Sequence, residues 1–401
     1  MKKLFSTIVL SFLFVLGVQA VPAHKGKLTI TQPDGTTVTI SLHGDEYMHF
    51  TTTDDGYSVV KGTDGFYRYA RREDGKLVAT DVVAHDIANR SAAEQSFLFS
   101  TEKYLAPDMT EQMQQMKRNN ISSMRKAQAR HKAAQYDYNN FRGLLILVEF
   151  NDKEFSRDDY AELLNDMVNK ENYTGYTDAN GRKQTYTGSV RDYFSDNSFG
   201  KFKPQFDIVG PVKLTNYSQY DPEGTDNAWE ILRAAVTAAD PLVNFKDYDR
   251  DGDGYVDMIY FIVAGNGANY NGNDSRLFWP HRSGFYGYVR KDGVYLGDYA
   301  SSVELCGFTN YPSTVKIDGI GTICHEFGHV LGLPDFYDTD YSQNGQSNDP
   351  GDWSVMAGGS YYNDGRTPVG YSLFERYMVG FIGGPTVINK EGSYTLKSID
   401  E

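Results

Sequence analysis

The stretch that organises the rest of the chain is His325-Glu326-Phe327-Gly328-His329-Val330-Leu331-Gly332-Leu333-Pro334-Asp335. Positions i and i+4 lie on one face of a helix, so His325 and His329 can bind the same ion while Glu326 lies beside it. Zinc suits two imidazole ligands and activates a water near neutral pH. The stretch therefore predicts a zinc site on a helix over residues 319–333.

The residues after the second histidine strengthen this interpretation. Gly332 is expected to end the helix in a left-handed conformation, and the turn would return Asp335 as a third zinc ligand. The competing explanation is an ordinary helix whose histidines are satisfied by hydrogen bonds. That explanation gives no reason for a glycine and an aspartate at these places.

Around this helix the sequence predicts an α+β domain over residues 141–401. Two continuous apolar runs are typical of strands buried on both faces, and two stretches have the apolar spacing of helices. The strands are expected at 144–148 and 258–263, and the helices at 158–170 and 226–240. Residues 265–315 are rich in Gly, Asn and Tyr, and we expect a long irregular stretch there.

The chain before this domain divides into three segments. Residues 1–20 have a basic start, an apolar run and small residues before a cut after Ala20, which is typical of a secretory signal peptide. Residues 21–103 alternate β-branched runs with Asp-Gly turns and predict a small antiparallel β unit. Residues 104–140 are rich in Gln, Lys and Arg and predict a helical, basic linker that contains the activation cleavage region.

The composition is that of a globular protein, because 40% of the 401 residues are hydrophobic and 23% are charged. The length is too great for one compact core. With 39 basic against 53 acidic residues, the net charge of −14 argues against a nucleic-acid partner, which would need a basic face. No run after residue 20 reaches about eighteen apolar residues, so no transmembrane anchor is expected.

Residues 249–257 predict a calcium-binding loop. The run Asp249-Arg250-Asp251-Gly252-Asp253-Gly254-Tyr255-Val256-Asp257 has carboxylates at loop positions 1, 3, 5 and 9, as in the first part of an EF-hand loop. Tyr255 would contribute its carbonyl oxygen. Position 12 is Tyr260 rather than glutamate, so we expect a structural calcium site before a strand and not a calcium sensor. A solvated turn rich in Asp and Gly is the alternative.

The only two cysteines, Cys306 and Cys324, leave two interpretations open. An even number permits a disulfide in an exported protein, and it would tie the 265–315 stretch to the metal-binding helix. Two free buried thiols are the alternative. Cys324 directly precedes His325 and faces another side of the helix, which argues against a thiolate zinc ligand.

Four stretches resemble the metzincin zinc metallopeptidases and, among them, the secreted immune-inhibitor-A-like bacterial peptidases. They are the zinc-binding stretch at 325–335, a turn containing methionine at 352–358, an upstream aromatic segment at 188–202 and the Asp-rich loop at 249–257. The resemblance runs from about residue 140 to the end of the chain. It implies a catalytic domain with a twisted sheet, a backing helix and an active-site helix, preceded by a small, mainly-β prodomain.

The resemblance also implies residue roles. Zinc would be held by His325, His329 and Asp335, the last at a place where most metzincins have a histidine. Asp338 is the alternative third ligand. Glu326 would act as general base and then as general acid, because it takes a proton from the zinc-activated water and passes it to the leaving amine.

The turn at 352–358 implies that Met356 underlies the zinc site. Some metzincins have a tyrosine two residues after this methionine, whereas this chain has Gly358. Tyr361 and Tyr362 are the nearest candidates for an oxyanion donor.

These motifs together predict a secreted or cell-surface zinc endopeptidase that is made as a zymogen and acts on proteins or peptides. Residues 21 to about 135 would inhibit it until cleavage between about Arg118 and Arg142. This segment has no cysteine, so a carboxylate or imidazole would have to replace the water, and steric blocking alone is equally compatible. The candidate side chains are His43, Asp45, Glu46, His49, Asp54 and Asp55.

Two other functions fit parts of the sequence. A non-catalytic, calcium-stabilised surface module could bind glycan or peptide through the 30 tyrosines, but it would not need Glu326. A zinc hydrolase of a non-protein amide would use the same motif. The strand-like run at 392–399 has no closing turn, so the peptidase domain could be cut short at Glu401.

Overall fold

The computed structural model describes residues 21–111, 113–115, 118, 138–139, 141–220, 228–271, 276–285, 289–339, 349–384, 386, 388–395 and 398–399. The expected signal peptide and most of the expected linker lie outside these residues. Within them, the chain is a mixed α/β protein with an N-terminal antiparallel sheet and a second, mostly parallel sheet, each of six strands. No helix of the described part is long and apolar enough to cross a membrane.

The N-terminal sheet is a six-stranded antiparallel meander with its strands in chain order. Its strands are β1 (Leu28–Thr31), β2 (Thr37–Gly44), β3 (His49–Thr53), β4 (Ser58–Lys61), β5 (Tyr67–Glu73) and β6 (Lys76–Val83). Asp-Gly turns join several of these strands, and Gly35 and Gly75 have φ angles of 85° and 78° that glycine tolerates. Helix α1 (Ala92–Leu98) follows the sheet. The prediction of an antiparallel β unit is confirmed.

Eleven further strands lie among the described residues after this unit. They are β7 (Gly143–Phe150), β8 (Gly175–Thr177), β9 (Lys183–Thr185), β10 (Phe206–Leu214), β11 (Tyr255–Val256), β12 (Ile259–Asn266), β13 (His281–Gly284), β14 (Arg290–Lys291), β15 (Val294–Leu296), β16 (Asp298–Cys306) and β17 (Lys316–Ile317). The main sheet has the order β10-β7-β12-β16-β13, and β17 pairs with β16. Strands β10, β7, β12 and β16 run parallel, whereas β13 runs antiparallel beside β16. Smaller sheets are formed by β11-β15-β14 and β8-β9.

Five more helices lie in the described part of this region, together with short 3₁₀ helices. The α-helices are α2 (Tyr160–Asn169), α3 (Val190–Asn197), α4 (Ala228–Ala239), α5 (Gly321–Val330) and α6 (Leu373–Met378). The 3₁₀ helices of the described chain are Ile87–Asn89, Tyr217–Gln219, Asp240–Leu242, Phe245–Tyr248, Ala268–Tyr270, Pro312–Thr314, Gly351–Trp353 and Gly358–Tyr361. The predicted strands at 144–148 and 258–263 and the predicted helices at 158–170, 226–240 and 319–333 are confirmed within a few residues.

The main sheet is covered on both faces. Leu144 and Ile146 of β7 belong to the apolar cluster that contains α4, whereas Leu145 and Leu147 belong to the cluster that contains α2, α3 and α5. Strands buried on both faces need no alternation of polar and apolar residues, which explains the continuous apolar runs. Helix α4 therefore backs the sheet, and α5 packs on the opposite face.

The expectation of an irregular stretch over 265–315 is wrong in part, because this stretch contains β16. Eight of its nine residues are buried, yet several are polar, so the strand lacks the apolar pattern of β7. The carboxylate of Glu304 is satisfied inside the protein, where it accepts hydrogen bonds from the backbone N–H groups of Ser156 at 2.6 Å and Gly265 at 3.0 Å. The strand predicted at 392–399 is absent from the residues of this run that the structure describes, 392–395 and 398–399.

The predicted disulfide is not present, and Cys306 and Cys324 are both free, buried thiols. The Sγ atom of Cys306 lies 3.6 Å from the carbonyl oxygen of Lys316 on the neighbouring strand. Cys324 packs in the apolar cluster under α5, to which Cys306 does not belong. The two thiols lie in different surroundings, so the alternative of two free thiols holds.

Candidate metal centre

Helix α5 lies close to the loops that surround it because glycines permit the approach. A Cβ atom on Gly321 would lie 1.9 Å from the carbonyl oxygen of Ser360. A Cβ atom on Gly328, between the two histidines, would lie 2.7 Å from Sδ of Met356. The helix ends at Val330, and Gly332 follows shortly after it with a φ of 105°, which matches the predicted left-handed turn.

The helix and its turn bring three predicted ligands together. The Nε2 atoms of His325 and His329 lie 3.0 Å apart, and each lies 3.3 Å from Oδ1 of Asp335. All three side chains are fully buried. Asp338 is also buried, but it is not part of this group among the described residues. The geometry is that of a closed cluster of nitrogen and oxygen donors.

Hydrogen bonds around the cluster leave its inward-facing atoms for a cation. Nδ1 of His325 lies 2.7 Å from the carbonyl oxygen of Val355, and Nδ1 of His329 lies 2.8 Å from that of Leu333. A carbonyl oxygen can only accept, so both Nδ1 atoms carry the proton and both Nε2 atoms present lone pairs.

These lone pairs and the carboxylate of Asp335 would repel one another without a cation between them. Neither oxygen of Asp335 has a hydrogen-bond donor within the described part of the chain. Two neutral imidazoles and one carboxylate are a ligand set that zinc accepts, with a further position left for water. The residues present therefore fit a zinc ion.

Glu326 lies beside the ligands and is fully buried. Burial raises its pKa to about 8, with His325 lowering and Asp335 raising it. A carboxylate whose pKa lies near neutrality can both accept and return a proton. The site therefore combines three metal-binding groups with one group suited to proton transfer.

The turn around Met356 holds parts of the cluster in place through backbone hydrogen bonds. Met356 is completely buried, and its carbonyl oxygen accepts a hydrogen bond from Phe336 N–H at 2.9 Å, directly after Asp335. The neighbouring carbonyl of Val355 holds His325. The turn thus positions two of the three candidate ligands through its backbone.

The chain's own N-terminal region covers this centre. We call residues 21–25 the N-terminal strip. The Val21 N–H donates to Oε1 of Glu326 at 2.8 Å, and the Val21 carbonyl oxygen accepts from Nε1 of Trp279 at 3.1 Å. The hydroxyl of Tyr361 donates to the carbonyl oxygen of Pro22 at 2.5 Å. The strip therefore engages Oε1 of Glu326 and the Tyr361 hydroxyl, whereas Oε2 of Glu326 has no hydrogen-bond partner in the described part of the chain.

The sequence left open a blocking side chain and steric blocking without zinc contact, and it did not predict this backbone contact. The one available signal was the expected cut after Ala20, which would make Val21 the first residue. Five of the six candidate side chains have other neighbours. Asp54 pairs with Lys27, Asp55 with Arg90, Asp45 with backbone N–H groups and His43 with Thr52, while His49 stacks on Trp279.

The Asp-rich loop lies before β12, as predicted. Carboxylate oxygens of Asp249, Asp251 and Asp257 lie within 4.8 Å of one another. Asp253 is outside this group, and its Oδ1 accepts a hydrogen bond from Tyr255 N–H at 2.9 Å. Burial, followed by the charges of Asp251, Asp249 and Asp253, raises the pKa of Asp257 to about 7. Oxygen ligands in such a loop suit calcium.

A mixed α/β fold with two helical histidines, a neighbouring glutamate and a buried aspartate is the arrangement of a metallopeptidase. Residues 139–384 match the family described as immune inhibitor A peptidase M6, catalytic domain. The match covers more than half of the chain, so the protein belongs to this family.

Two kinds of relative are similar to the chain. Pre-pro-metalloprotease PrtV of Vibrio cholerae serotype O1 is 27% identical over 282 residues, which are 60% of this chain and 30% of that protein. Immune inhibitor A of Bacillus thuringiensis subsp. alesti is 27% identical over 281 residues, which are 61% of this chain and 40% of that protein. The chain thus matches less than half of the length of these relatives.

Proposed function

We propose that this protein is a zinc-dependent endopeptidase of the metzincin type, made as a zymogen and exported. The observation that carries the proposal is the convergence of two Nε2 lone pairs and the Asp335 carboxylate, with Glu326 beside them. Membership of the M6 peptidase family supports it.

A zinc ion held by His325, His329 and Asp335 would polarise the scissile carbonyl group and make a water more acidic. Glu326 accepts a proton from the attacking water and then gives it to the leaving amine. Tyr361, whose hydroxyl now donates to the carbonyl oxygen of Pro22, is suited to donate to a substrate carbonyl in the same place.

The N-terminal strip accounts for latency in this proposal. Because the Val21 N–H occupies Oε1 of Glu326, the base cannot accept a proton from water there. The cut expected after Ala20 would turn this N–H into a cationic amino group and strengthen its attraction to the carboxylate. Residues 21–103 would thus form the prodomain, and cleavage in the 104–140 linker would release the domain at 141–401.

The Asp-rich loop is proposed to bind one structural calcium ion. Asp249, Asp251 and Asp257 supply converging carboxylates, and Oδ1 of Asp249 is buried without a hydrogen-bond partner in the described chain. Asp253 and the Tyr255 carbonyl complete the proposed ligand set. Burial and, after it, the charge of Asp251 raise the pKa of Asp257, and a bound cation would offset both effects.

The decisive experiment compares Glu326→Gln with Glu162→Gln, a control carboxylate that is exposed on α2. Each full-length protein is treated with trypsin, and zinc content and casein hydrolysis are then measured. We expect one zinc ion per chain in all proteins, and a loss of about 1,000-fold in activity for Glu326→Gln alone. Equal activity in Glu326→Gln and the wild type would contradict the peptidase function.

Latency is tested on the same proteins before trypsin treatment. The full-length wild type is expected to hydrolyse casein at least about tenfold more slowly than the treated protein, since the strip covers Glu326. Equal rates before and after cleavage of the linker would contradict the zymogen.

A further inference from the structure

Three aromatic rings of the peptidase domain surround the ring of His24. The imidazole stacks on Tyr270 with 4.8 Å between ring centroids and 27° between the ring planes. It meets Phe308 at 5.6 Å and Tyr361 at 5.2 Å, in both cases nearly perpendicular. We call Tyr270, Phe308 and Tyr361 the aromatic recess. One stacked and two edge contacts are arrangements that aromatic rings prefer, so the recess has the shape of a slot for a flat ring.

The recess is built by the peptidase domain itself, from three separate segments of its chain. Tyr270 lies 6.0 Å from Phe308 and 5.3 Å from Tyr361 between ring centroids, in edge-to-face contacts. The side-chain amide of Asn269 donates a hydrogen bond to the hydroxyl oxygen of Tyr361 at 2.9 Å. None of these contacts involves His24, so they can hold the rings in place when the recess is empty.

The recess lies next to the catalytic groups of the proposed peptidase. His24 is three residues from Val21, whose N–H donates to Glu326. Three residues span at most about 11 Å, so a chain that reaches Glu326 also reaches the recess. The His24 N–H donates to the carbonyl oxygen of Asn269 at 2.9 Å, a contact that any residue except proline can make. A substrate chain therefore has a backbone partner where its side chain would enter the recess.

The ring that the recess holds is neutral. The Gly26 N–H donates to Nδ1 of His24 at 3.0 Å, so this nitrogen has no proton. Burial lowers the pKa of His24, and the charge of Asp364 opposes this only in part. Because these surroundings disfavour a charge, the rings of Phe, Tyr and Trp suit them as well as an uncharged imidazole does, whereas a carboxylate or an ammonium group does not.

We propose that the aromatic recess is a substrate subsite that takes an aromatic side chain and directs cleavage to peptide bonds within about three residues of it. The inference rests on the proposed peptidase function and names its substrate class, which is polypeptide segments that contain Phe, Tyr, Trp or His. His24 fills the recess in the full-length chain, so the subsite opens only after the N-terminal region has left.

The first test measures specificity in the wild type. Full-length protein is treated with trypsin, the trypsin is removed, and a library of unstructured peptides of defined sequence is digested. Mass spectrometry identifies the bonds that are cleaved. We expect aromatic residues and histidine to be enriched about tenfold at one position within three residues of the cleaved bond. Rings that served only to hold the N-terminal region would give no such preference, and its absence would overturn the inference.

The second test removes one ring of the recess. Phe308→Leu keeps an apolar side chain, and Phe199→Leu is the control because Phe199 is exposed in the same domain and packs against Arg376. Two peptides that differ only at the preferred position, one with Phe and one with Ala, are compared by kcat/KM. We expect the ratio of the two values to fall about fivefold in Phe308→Leu and to stay at the wild-type value in Phe199→Leu.

This ratio cancels any loss of active protein, so it distinguishes a substrate subsite from a purely structural role. An unchanged ratio in Phe308→Leu would overturn the inference, and so would an equal fall in Phe199→Leu. Failure of the wild type to cleave any peptide, or cleavage that persists in Glu326→Gln, would instead contradict the proposed function on which the inference rests. The two failures are therefore distinguishable in one set of measurements.

Discussion

The two candidate metal centres of this protein are built in opposite ways. In the Asp-rich loop, the carboxylates are near neighbours in sequence, and the loop's own backbone shapes it, as when Gly254 N–H donates to Asp249 at 3.1 Å. In the buried centre, the histidines are oriented by the Val355 and Leu333 carbonyls, and the turn at Met356 comes from a distant segment. One centre is local, and the other depends on the tertiary fold.

The surroundings of the two centres differ as well. The side chains of His325, His329 and Asp335 are 0% exposed, whereas Asp251 is exposed to solvent. An exposed loop can bind an ion for rigidity alone, while burial strengthens the charge interactions on which catalysis depends. We therefore expect loss of the ion in the Asp-rich loop to reduce stability, and loss of the ion in the buried centre to abolish activity.

The largest expected effect separates the two centres by activity. His329→Ala should remove the zinc ion and reduce casein hydrolysis by the trypsin-treated protein by about 1,000-fold or more, because one of three ligands is lost. Asp251→Asn should retain zinc and most activity at 25 °C. Metal analysis and initial rates measure both effects. A similar loss of activity in the two variants would show that the centres are not independent.

The next effect concerns calcium. Addition of calcium to calcium-depleted protein should raise the unfolding temperature by roughly 8 °C at saturation, because the ion binds only the folded loop. Differential scanning calorimetry of the wild type measures this shift. In Asp251→Asn the shift should shrink to a degree or two, and an undiminished shift there would place the calcium site elsewhere.

A third experiment tests the tertiary support of the buried centre. Gly328→Ala should lower the free energy of unfolding by about 3 kcal/mol, because the new Cβ would lie 2.7 Å from Met356 Sδ and 2.8 Å from Tyr371 Oη. Gly383→Ala is the matched control, since nothing lies within 4 Å of a Cβ there. Urea unfolding compares them, and equal stabilities would mean that α5 does not need this close approach.

The smallest effect depends on pH and compares a buried acid, Asp318, with the partly buried Asp257. Burial raises the pKa of Asp318, before α5, from 3.8 to about 7, and the charge of Asp364 acts in the same direction. Hydrogen bonds from Thr322 and Gly319 and the charge of Arg366 act against this rise. The folded chain therefore holds a proton that the unfolded chain releases, so stability falls as pH rises from about 4 to 7 and is level above that range. We expect a loss of roughly 2 kcal/mol between pH 5 and pH 8.

Asp318→Asn should remove this part of the pH dependence, as measured by urea unfolding at several pH values. In the wild type, calcium should leave the pH dependence that comes from Asp318 unchanged. The pH dependence that comes from Asp257 should disappear when calcium binds. An unchanged slope in Asp318→Asn would mean that Asp318 is ionised in the folded protein at all these pH values.

The predictable part of the fold was the part with a strong local pattern. Strands β7 and β12 are buried on both faces and therefore have continuous apolar runs. Helices α2 and α4 are buried on one face and therefore have apolar residues at helical spacing, so both patterns can be recognised in the sequence. Strand β16 was missed because its buried polar groups are satisfied by partners far along the chain, such as Ser156 and Gly265 for Glu304. The disulfide was wrong for a similar reason, since pairing depends on the surroundings of each thiol and not on their number.

The spacing of His325 and His329 and that of the Asp-rich run were predictable from the amino-acid sequence, because a helical turn and a short loop impose them. The full donor sets were not, since the sequence left Asp335 and Asp338 open and included Asp253, which lies outside the carboxylate group. The left-handed turn at Gly332 after the helix was predictable as well. Which imidazole nitrogens face inward, and which segment covers Glu326, follow from the folded protein alone. They depend on the carbonyls of Val355 and Leu333 and on the N–H of Val21. Every residue offers such backbone groups, so side-chain patterns in the sequence carry no signal for them.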